Sequence, residues 1–99
     1  MEELEQNVIQ WAGDKGILTH SDPLHQMAKT FEEVNELYEA VLESDLEGIK
    51  DAIGDTIVTL IIQAEMQGLD GIQECVLSAY NEIKDRNGKM QNGLFKKEE

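Results

Sequence analysis

The apolar residues of this chain recur every three or four positions almost from end to end, and this spacing constrains the fold more than any other feature. It is typical of amphipathic α-helices, whereas the strict alternation of half-buried strands is absent. Proline, which ends or kinks a helix, occurs once, as Pro23. We therefore predict an all-α protein built from four helices.

The first two predicted helices are bounded by residues that stop or cap helices. The first covers about residues 3–12 and ends at Gly13. The second has Asp22 as its N-cap and Pro23 at its first helical position, where the N–H that proline lacks is not needed. It ends near Glu43.

The third predicted helix begins after a cap at residues 44–45 and ends at Gly68. From Ile57 onwards its apolar positions cover most of the circumference, so we expect it to be the central and most buried helix. The fourth has Asp70 as its N-cap and continues to about Arg86.

The apolar stripes of the other helices mark the expected core. Leu4 and Trp11 lie on the stripe of the first helix, and Val34 and Val41 are at the centre of the apolar arc of the second. The fourth helix carries a narrow stripe over residues 72–83.

The C-terminal segment differs in composition from the rest. Asn-Gly pairs, which favour turns, occur at residues 87–88 and 92–93, and five of the eight basic residues lie between positions 84 and 97. We predict an irregular basic tail over residues 88–99. No linker or repeat divides the chain, so we expect residues 1–99 to form a single domain.

The chain carries 21 acidic and 8 basic residues, a formal net charge of −13. Nucleic acids and anionic membranes bind clustered lysine and arginine, so this charge argues against both as partners. The single cysteine, Cys75, cannot form an intrachain disulfide, and no basic segment followed by an apolar one follows Met1. We therefore expect a cytoplasmic protein.

Nine of the acidic residues lie between Glu32 and Asp55. At about 100° per residue, most acids of the second helix fall opposite its apolar arc, but Glu33 lies at the border of that arc. Glu36 is one turn further on and leans toward the same side. Asp51 and Asp55 form an i,i+4 pair directly before the most apolar segment, so Asp55 is expected to point inward.

These carboxylates admit two interpretations. Burying an unpaired carboxylate is costly, and Mg²⁺ prefers oxygen ligands, so inward carboxylates on two neighbouring helices would suit that ion. In the alternative, Glu33 and Glu36 are solvated, and Asp51 and Asp55 only stabilise the positive end of a helix dipole. Spacing alone leaves both interpretations open.

Residues 29–37, Lys-Thr-Phe-Glu-Glu-Val-Asn-Glu-Leu, resemble the EExxE signature of the MazG-like, all-α nucleoside triphosphate pyrophosphohydrolases. Residues 51–55, Asp-Ala-Ile-Gly-Asp, are similar to the following acidic motif of that family, usually written ExxD. The similarity continues through Tyr80–Lys84 and Arg86 into the Gly-Lys-Met sequence at residues 88–90, as in short phage-type and bacterial members.

The resemblance implies a four-helix, MazG-like bundle assembled as a dimer or a dimer of dimers. It also implies cleavage of a nucleoside or deoxynucleoside triphosphate to the monophosphate and pyrophosphate with Mg²⁺, or Mn²⁺ as an alternative, in the host cytoplasm if the chain is viral. The catalytic acids and metal ligands would be Glu33, Glu36 and Asp55, with Glu32 just outside them.

One position departs from the second motif, because the first acid of ExxD falls at Ala52. Asp51 lies one residue earlier and one full turn before Asp55, and i,i+4 side chains share a helix face. We therefore include Asp51 among the expected metal ligands.

By the same resemblance, Asn81, Lys84, Lys29 and Arg86 would contact the phosphates or the nucleotide. Asn81 and Lys84 share a face of the fourth helix that is separate from its apolar stripe. A cation near a helix C-terminus is also favourable without any ligand.

Two other functions remain open. An acidic helical module without enzymatic activity, such as a DNA mimic, would display its acids outward and bind a basic protein surface. Phosphoribosyl-ATP pyrophosphohydrolase, the relative in the histidine pathway, shares the helices and the acids.

Overall fold

The computed structural model describes residues 1–98, and Glu99 of the expected tail lies outside the described residues. The elements in chain order are α1 (Glu2–Asp14), α2 (Ile17–His20), α3 (Pro23–Leu42), α4 (Leu46–Met66), α5 (Ile72–Ile83), β1 (Gly88–Gln91) and β2 (Leu94–Lys97). The all-α prediction is confirmed: the four predicted helices correspond to α1, α3, α4 and α5, and α2 is an additional single turn. Within residues 1–98, no helix is both long enough and apolar enough to cross a membrane.

Helices α3 and α4 form a helical hairpin at the centre of the fold. Asp22 caps α3 by accepting a hydrogen bond from the His25 amide at 2.9 Å. Asp45 caps α4 in the same way and accepts from the Gly48 amide at 3.0 Å. The caps predicted for these two helices are therefore confirmed.

A buried polar seam joins α3 to α4. Gln26 Nε2 donates to the Thr59 carbonyl at 3.1 Å, and the Thr30 hydroxyl donates to the Thr59 hydroxyl at 3.0 Å. Towards the start of α3, Gln63 Nε2 donates to the Pro23 carbonyl at 3.0 Å. Because these bonds form only in one alignment, the seam determines where α4 lies along α3.

The apolar core is small. Within the described part of the chain, it consists of four alanines and two isoleucines, namely Ala12, Ala40, Ala52, Ile61, Ile62 and Ala64. Four of these six residues belong to α4, which confirms that α4 is the most buried helix. Among the described residues, no large side chain is completely enclosed.

The stripes predicted to form the core on α1, α3 and α5 are exposed in the single chain. Trp11 is 48% exposed, Val34 45% and Val41 55%, and no described residue of α5 is buried. The buried face of α1 is instead formed by Glu5 and Ala12. The prediction was wrong because the α3–α4 hairpin and α1 cover only one face of each helix and leave the apolar stripes outside.

The C-terminal segment also differs from its prediction, because it is an antiparallel hairpin and not an irregular tail. Gln91 pairs with Leu94 at the closed end of β1 and β2. Asn92 and Gly93 between them have φ values of 53° and 80°, as a two-residue type I′ turn requires. The second Asn-Gly pair therefore makes a hairpin of its flanking residues.

Candidate metal centre

Three carboxylates form a cluster on α3. Glu32, Glu33 and Glu36 each offer an oxygen, and these oxygens lie within 4.8 Å of one another. The i,i+3 and i,i+4 spacings place the side chain of Glu36 beside the other two. Charges of one sign at this separation repel, so a cation shared by the three would stabilise them.

Glu33 is the buried member of this cluster and is 7% exposed. Its Oε1 lies 3.5 Å from Lys29 Nζ, whereas its Oε2 is buried and has no hydrogen-bond partner among the described residues. A buried carboxylate oxygen without a partner is costly. Oε2 of Glu33 is therefore the atom that a bound cation would satisfy.

The pKa of the Glu36 carboxyl is raised above its ordinary value. The largest cause is hydrogen bonding with Glu33, which favours the protonated form, and the negative charge of Glu33, desolvation and the charge of Glu32 act in the same direction. The positive charge of Lys29 opposes them. The neighbouring acids thus hinder the ionisation of Glu36, and a divalent cation would reverse this effect.

Lys29 lies among these acids. Its Nζ is 3.4 Å from Glu32 Oε1 and 3.5 Å from Glu33 Oε1. The charge of Glu32 is the main reason why the pKa of the Lys29 ammonium is raised. One lysine cannot neutralise three carboxylates, so the cluster keeps a negative charge.

The cluster continues into a groove of about 300 Å³ between α3 and α4. The groove is lined by six carboxylates and three small residues: Glu36, Glu39, Ala40, Glu43, Asp45, Gly48, Asp51, Ala52 and Asp55. Glu36 of the first motif and Asp51 and Asp55 of the second therefore share one surface. We call this surface the acidic groove.

Asp55 does not point inward as predicted, since both Asp51 and Asp55 are exposed at the acidic groove. Ala52 is 5% exposed and belongs to the core as well as to the groove lining. An acid at position 52 would rise from the floor of the groove. In this chain, the carboxylates come instead from Asp51 and Asp55, which lie before and after position 52 and are more exposed.

The chain is related to known proteins over most of its length. A family model described as MazG nucleotide pyrophosphohydrolase domain matches residues 21–90, which include the cluster and the acidic groove. The chain belongs to the MazG family.

This MazG domain is also similar to an uncharacterized 18.2 kDa protein in the rep-hol intergenic region of Haemophilus phage HP1, strain HP1c1. The two are 35% identical over 74 residues, which cover 75% of this chain and 45% of the phage protein. The chain thus spans less than half the length of that relative. No solved structure shows significant similarity to the chain.

Three of the four predicted nucleotide-binding residues of this MazG domain lie apart from the acidic groove, whereas Lys29 lies beside the carboxylate cluster. Asn81 is exposed on α5, and Lys84 is exposed directly after it. Arg86 lines a separate cleft together with Glu82 and Asp85. Asn81, Lys84 and Arg86 are all absent from the groove lining within one chain.

Three acids of the groove, Glu39, Glu43 and Asp45, were not among the predicted site residues. The helical wheel correctly places Glu39 and Glu43 on the surface, but it contains no information on which helix approaches that surface. Their positions at i+3 and i+7 from Glu36 are the signal that marks a continuous acidic edge.

Proposed function

We propose that this MazG domain is a Mg²⁺-dependent pyrophosphohydrolase that cleaves a nucleoside or deoxynucleoside triphosphate to the monophosphate and pyrophosphate. The observation that supports it best is the buried Oε2 of Glu33, which has no partner among residues 1–98 and lies beside the carboxylates of Glu32 and Glu36. An acidic module that only mimics DNA would gain nothing from burying a carboxylate. We expect the activity in the cytoplasm, which is that of the host if the chain is viral.

The donor set fits a hard divalent cation. Glu33, Glu36 and Asp55 would hold it, and Asp51 would supply the carboxylate that the motif has at position 52. All four offer oxygen, which Mg²⁺ and Mn²⁺ both accept. When bound, such an ion neutralises charge on the phosphates and lowers the pKa of a water molecule.

Other residues of the chain would bind and orient the substrate. Glu32, through its 3.4 Å contact, would keep the Lys29 ammonium beside the carboxylates, where its charge attracts a phosphate. Asn81, Lys84 and Arg86 would donate hydrogen bonds to phosphate oxygens, and arginine is suited to bidentate contacts of this kind.

A second copy of the chain would complete this site. The chain exposes 7653 Å², whereas a folded monomer of 11.2 kDa is expected to expose about 5,700 Å². Two copies that each bury this excess would bury about 4,000 Å² in total, within the range of roughly 2,000–5,000 Å² that obligate homodimer interfaces bury. We expect a homodimer or homotetramer in which α5 of one copy brings Asn81 and Lys84 to the acidic groove of another.

The first test is pyrophosphate release from nucleoside triphosphates, deoxynucleoside triphosphates and phosphoribosyl-ATP, each with Mg²⁺, with Mn²⁺ or with EDTA. We expect metal-dependent release from at least one triphosphate. Release from phosphoribosyl-ATP alone would identify the histidine-pathway reaction instead. No release with either metal would contradict the proposal and favour an acidic module that binds a basic protein.

The residue assignment is tested with Glu36→Gln and Asp55→Asn. Both variants should lose hydrolysis while circular dichroism shows unchanged helicity, because each removes a metal ligand and leaves the helix intact. Glu65→Gln, an exposed acid of α4 that does not line the acidic groove, is the matched control and should hydrolyse at the wild-type rate. Wild-type turnover in Asp55→Asn would exclude the groove as the site.

Sharing of the site between copies is tested by mixing two inactive variants. Asp55→Asn lacks a groove acid, and Lys84→Ala lacks the cation directly after α5. If the site combines residues of two copies, mixed oligomers contain some intact sites and regain part of the activity. Absence of any recovery, with subunit exchange demonstrated by mass spectrometry, would place each site within one chain.

A further inference from the structure

A second buried acid lies outside the metal centre. Glu5 of α1 is 5% exposed and has the same kind of burial as Glu33. Neither the metal ligands nor the predicted nucleotide contacts make use of it. A buried carboxylate needs partners that offset its desolvation, so the contacts of Glu5 indicate its role.

The partner of Glu5 is the first turn of α5. Glu5 Oε1 accepts a hydrogen bond from the Ile72 amide at 2.8 Å, across 67 positions of the sequence. Helix α5 begins after Gly71 and not after the predicted cap Asp70, and Gly71 provides no side-chain cap. A carboxylate from α1 therefore takes the place of the local N-cap, and its charge suits the positive end of the helix dipole.

Gly71 is adapted to this contact in two ways. Its φ is 137°, a backbone conformation that other residues rarely adopt. A Cβ at this position would also lie only 2.6 Å from Glu5 Oε1. Position 71 thus has no room for a side chain while Glu5 is in place.

Helix α5 has little other attachment to the chain. Ile72 and Cys75 are half-buried, and no described residue of α5 is buried. A 12-residue helix is about 18 Å long. A tilt of about 10° at its first turn would therefore move its far end, which carries Asn81 and Lys84, by about 3 Å.

We propose that Glu5 is a positioning residue for the nucleotide site: by fixing the first turn of α5, it determines where Asn81 and Lys84 are held. This inference rests on the proposed function, since it gives those two residues a substrate to contact. It adds a residue of α1, outside both acidic motifs, to the residues on which substrate binding depends.

The contact is tested by amide hydrogen exchange, measured by NMR in the full chain without nucleotide. In Glu5→Ala, the Ile72 amide should exchange roughly two- to tenfold faster, as expected for one lost hydrogen bond. Glu5→Gln keeps an acceptor oxygen at the same reach and should restore most of the protection. Glu3→Ala removes an exposed acid from the same turn of α1 and should leave the Ile72 amide unchanged.

The positioning role is tested by steady-state kinetics of the same variants, with the triphosphate that the wild type hydrolyses best. We expect Glu5→Ala to raise KM about tenfold with kcat within about twofold of the wild type. The reason is that misplaced Asn81 and Lys84 would weaken binding of the substrate and of the transition state equally. The KM of Glu5→Gln should lie close to that of the wild type. This variant also tests the contact if Glu5→Ala does not fold.

Three results would overturn the inference, and they are distinguishable. Unchanged exchange at Ile72 in Glu5→Ala would show that the contact does not hold α5. Faster exchange with an unchanged KM would make Glu5 a structural cap only. A wild type that hydrolyses no nucleotide would contradict the proposed function itself, and Glu5 would then be assigned by the exchange data to the anchoring of α5 alone.

Discussion

Glu33 occupies a position where an apolar side chain would pack at lower cost. The partner of its Oε1 is Lys29, whose side chain is 53% exposed and therefore screened by water. The buried Oε2 has no partner among residues 1–98. Conflicts of this kind between stability and local environment are expected at functional sites, where a ligand resolves them.

The stability of Glu33→Gln tests this interpretation. Without metal, the variant should melt at the same temperature as the wild type or higher, because an incompletely paired buried charge is removed. At 100 times its Kd, Mg²⁺ should stabilise the wild type by about 2.7 kcal/mol, and this increment should disappear in the variant. The measurement is thermal unfolding in EDTA and in Mg²⁺, with Glu65→Gln as control. An equal Mg²⁺ increment in Glu33→Gln would remove Glu33 from the ligand set.

Asp22 gives the fold a defined dependence on acid. Its carboxyl pKa lies below the ordinary value, first because it accepts a hydrogen bond from the His25 backbone amide and then because it contacts the His25 ring. In acid, the Asp22 carboxyl is therefore protonated to a smaller extent in the folded state than in the unfolded state. The contribution of Asp22 is complete above the ordinary aspartate pKa of about 3.9 and is lost as the pH falls through the lowered folded value.

Asp22→Asn should consequently melt below the wild type at neutral pH, and this difference should shrink as the pH falls below about 4. Thermal unfolding of both proteins across this range measures it. Asp70→Asn is the matched control, because Asp70 was the predicted cap of α5 but does not cap it. A difference that stays constant down to pH 2, roughly the acid limit of such titrations, would contradict the role of the charge.

At the scale of elements, the polar seam determines how α3 and α4 fit together, and thereby which acids face each other across the groove. Thr30 and Thr59 are buried and hydrogen-bonded to each other, and Thr59 also donates to the Thr56 carbonyl. Apolar packing alone would permit several alignments of these helices, because small alanines line much of the contact. The hydrogen bonds of the polar seam form in only one of these alignments.

A double-mutant cycle measures this coupling. Thr59→Val removes a hydroxyl that Thr30 uses as acceptor and should lower the free energy of unfolding by about 1–3 kcal/mol. Thr30→Val combined with Thr59→Val should cost less than the sum of the single changes, because each single change already removes the same Thr30–Thr59 hydrogen bond. Denaturant unfolding gives the three values. Strict additivity would mean that the two hydroxyls do not depend on each other.

For the whole molecule, the dominant feature is an apolar surface that the single chain does not cover. The radius of gyration is 15.8 Å, whereas a compact chain of this length is expected to have about 13 Å. Two apolar depressions between α4 and α5 share Leu60, Ile72 and Val76. A surface of this kind is typical of interaction sites, which supports the proposed association with another copy.

Val76→Glu tests whether this surface joins copies. Val76 is 62% exposed in the single chain, so the substitution should not unfold α5, but it would bury a charge in an interface. We expect sedimentation equilibrium to show a smaller species than the wild type, with hydrolysis reduced in parallel. Ser78→Glu adds the same charge to an exposed position of α5 outside both depressions and should leave the mass unchanged. A wild type that sediments as a monomer would exclude the shared site.

Parts of the site could be predicted because they depend on one helix. The border position of Glu33 on α3 follows from its angle to the apolar arc, and the structure buries it. The prediction that Asp55 points inward was wrong, and Glu39 and Glu43 were not predicted as site residues. The environment of all three depends on how closely α4 approaches α3. Spacing along one helix carries no information on that distance.

The sequence by itself determined the four long helices, the cap of α3 at Asp22 and that of α4 at residues 44–45, and a turn at residues 92–93, because each depends on residues within a few positions of each other. Only the tertiary structure decided which apolar stripes are buried in one chain and which remain outside. It also decided that Glu5, and not Asp70, caps α5. Periodicity marks an apolar face, but what covers that face depends on contacts between residues far apart in the chain, or between copies.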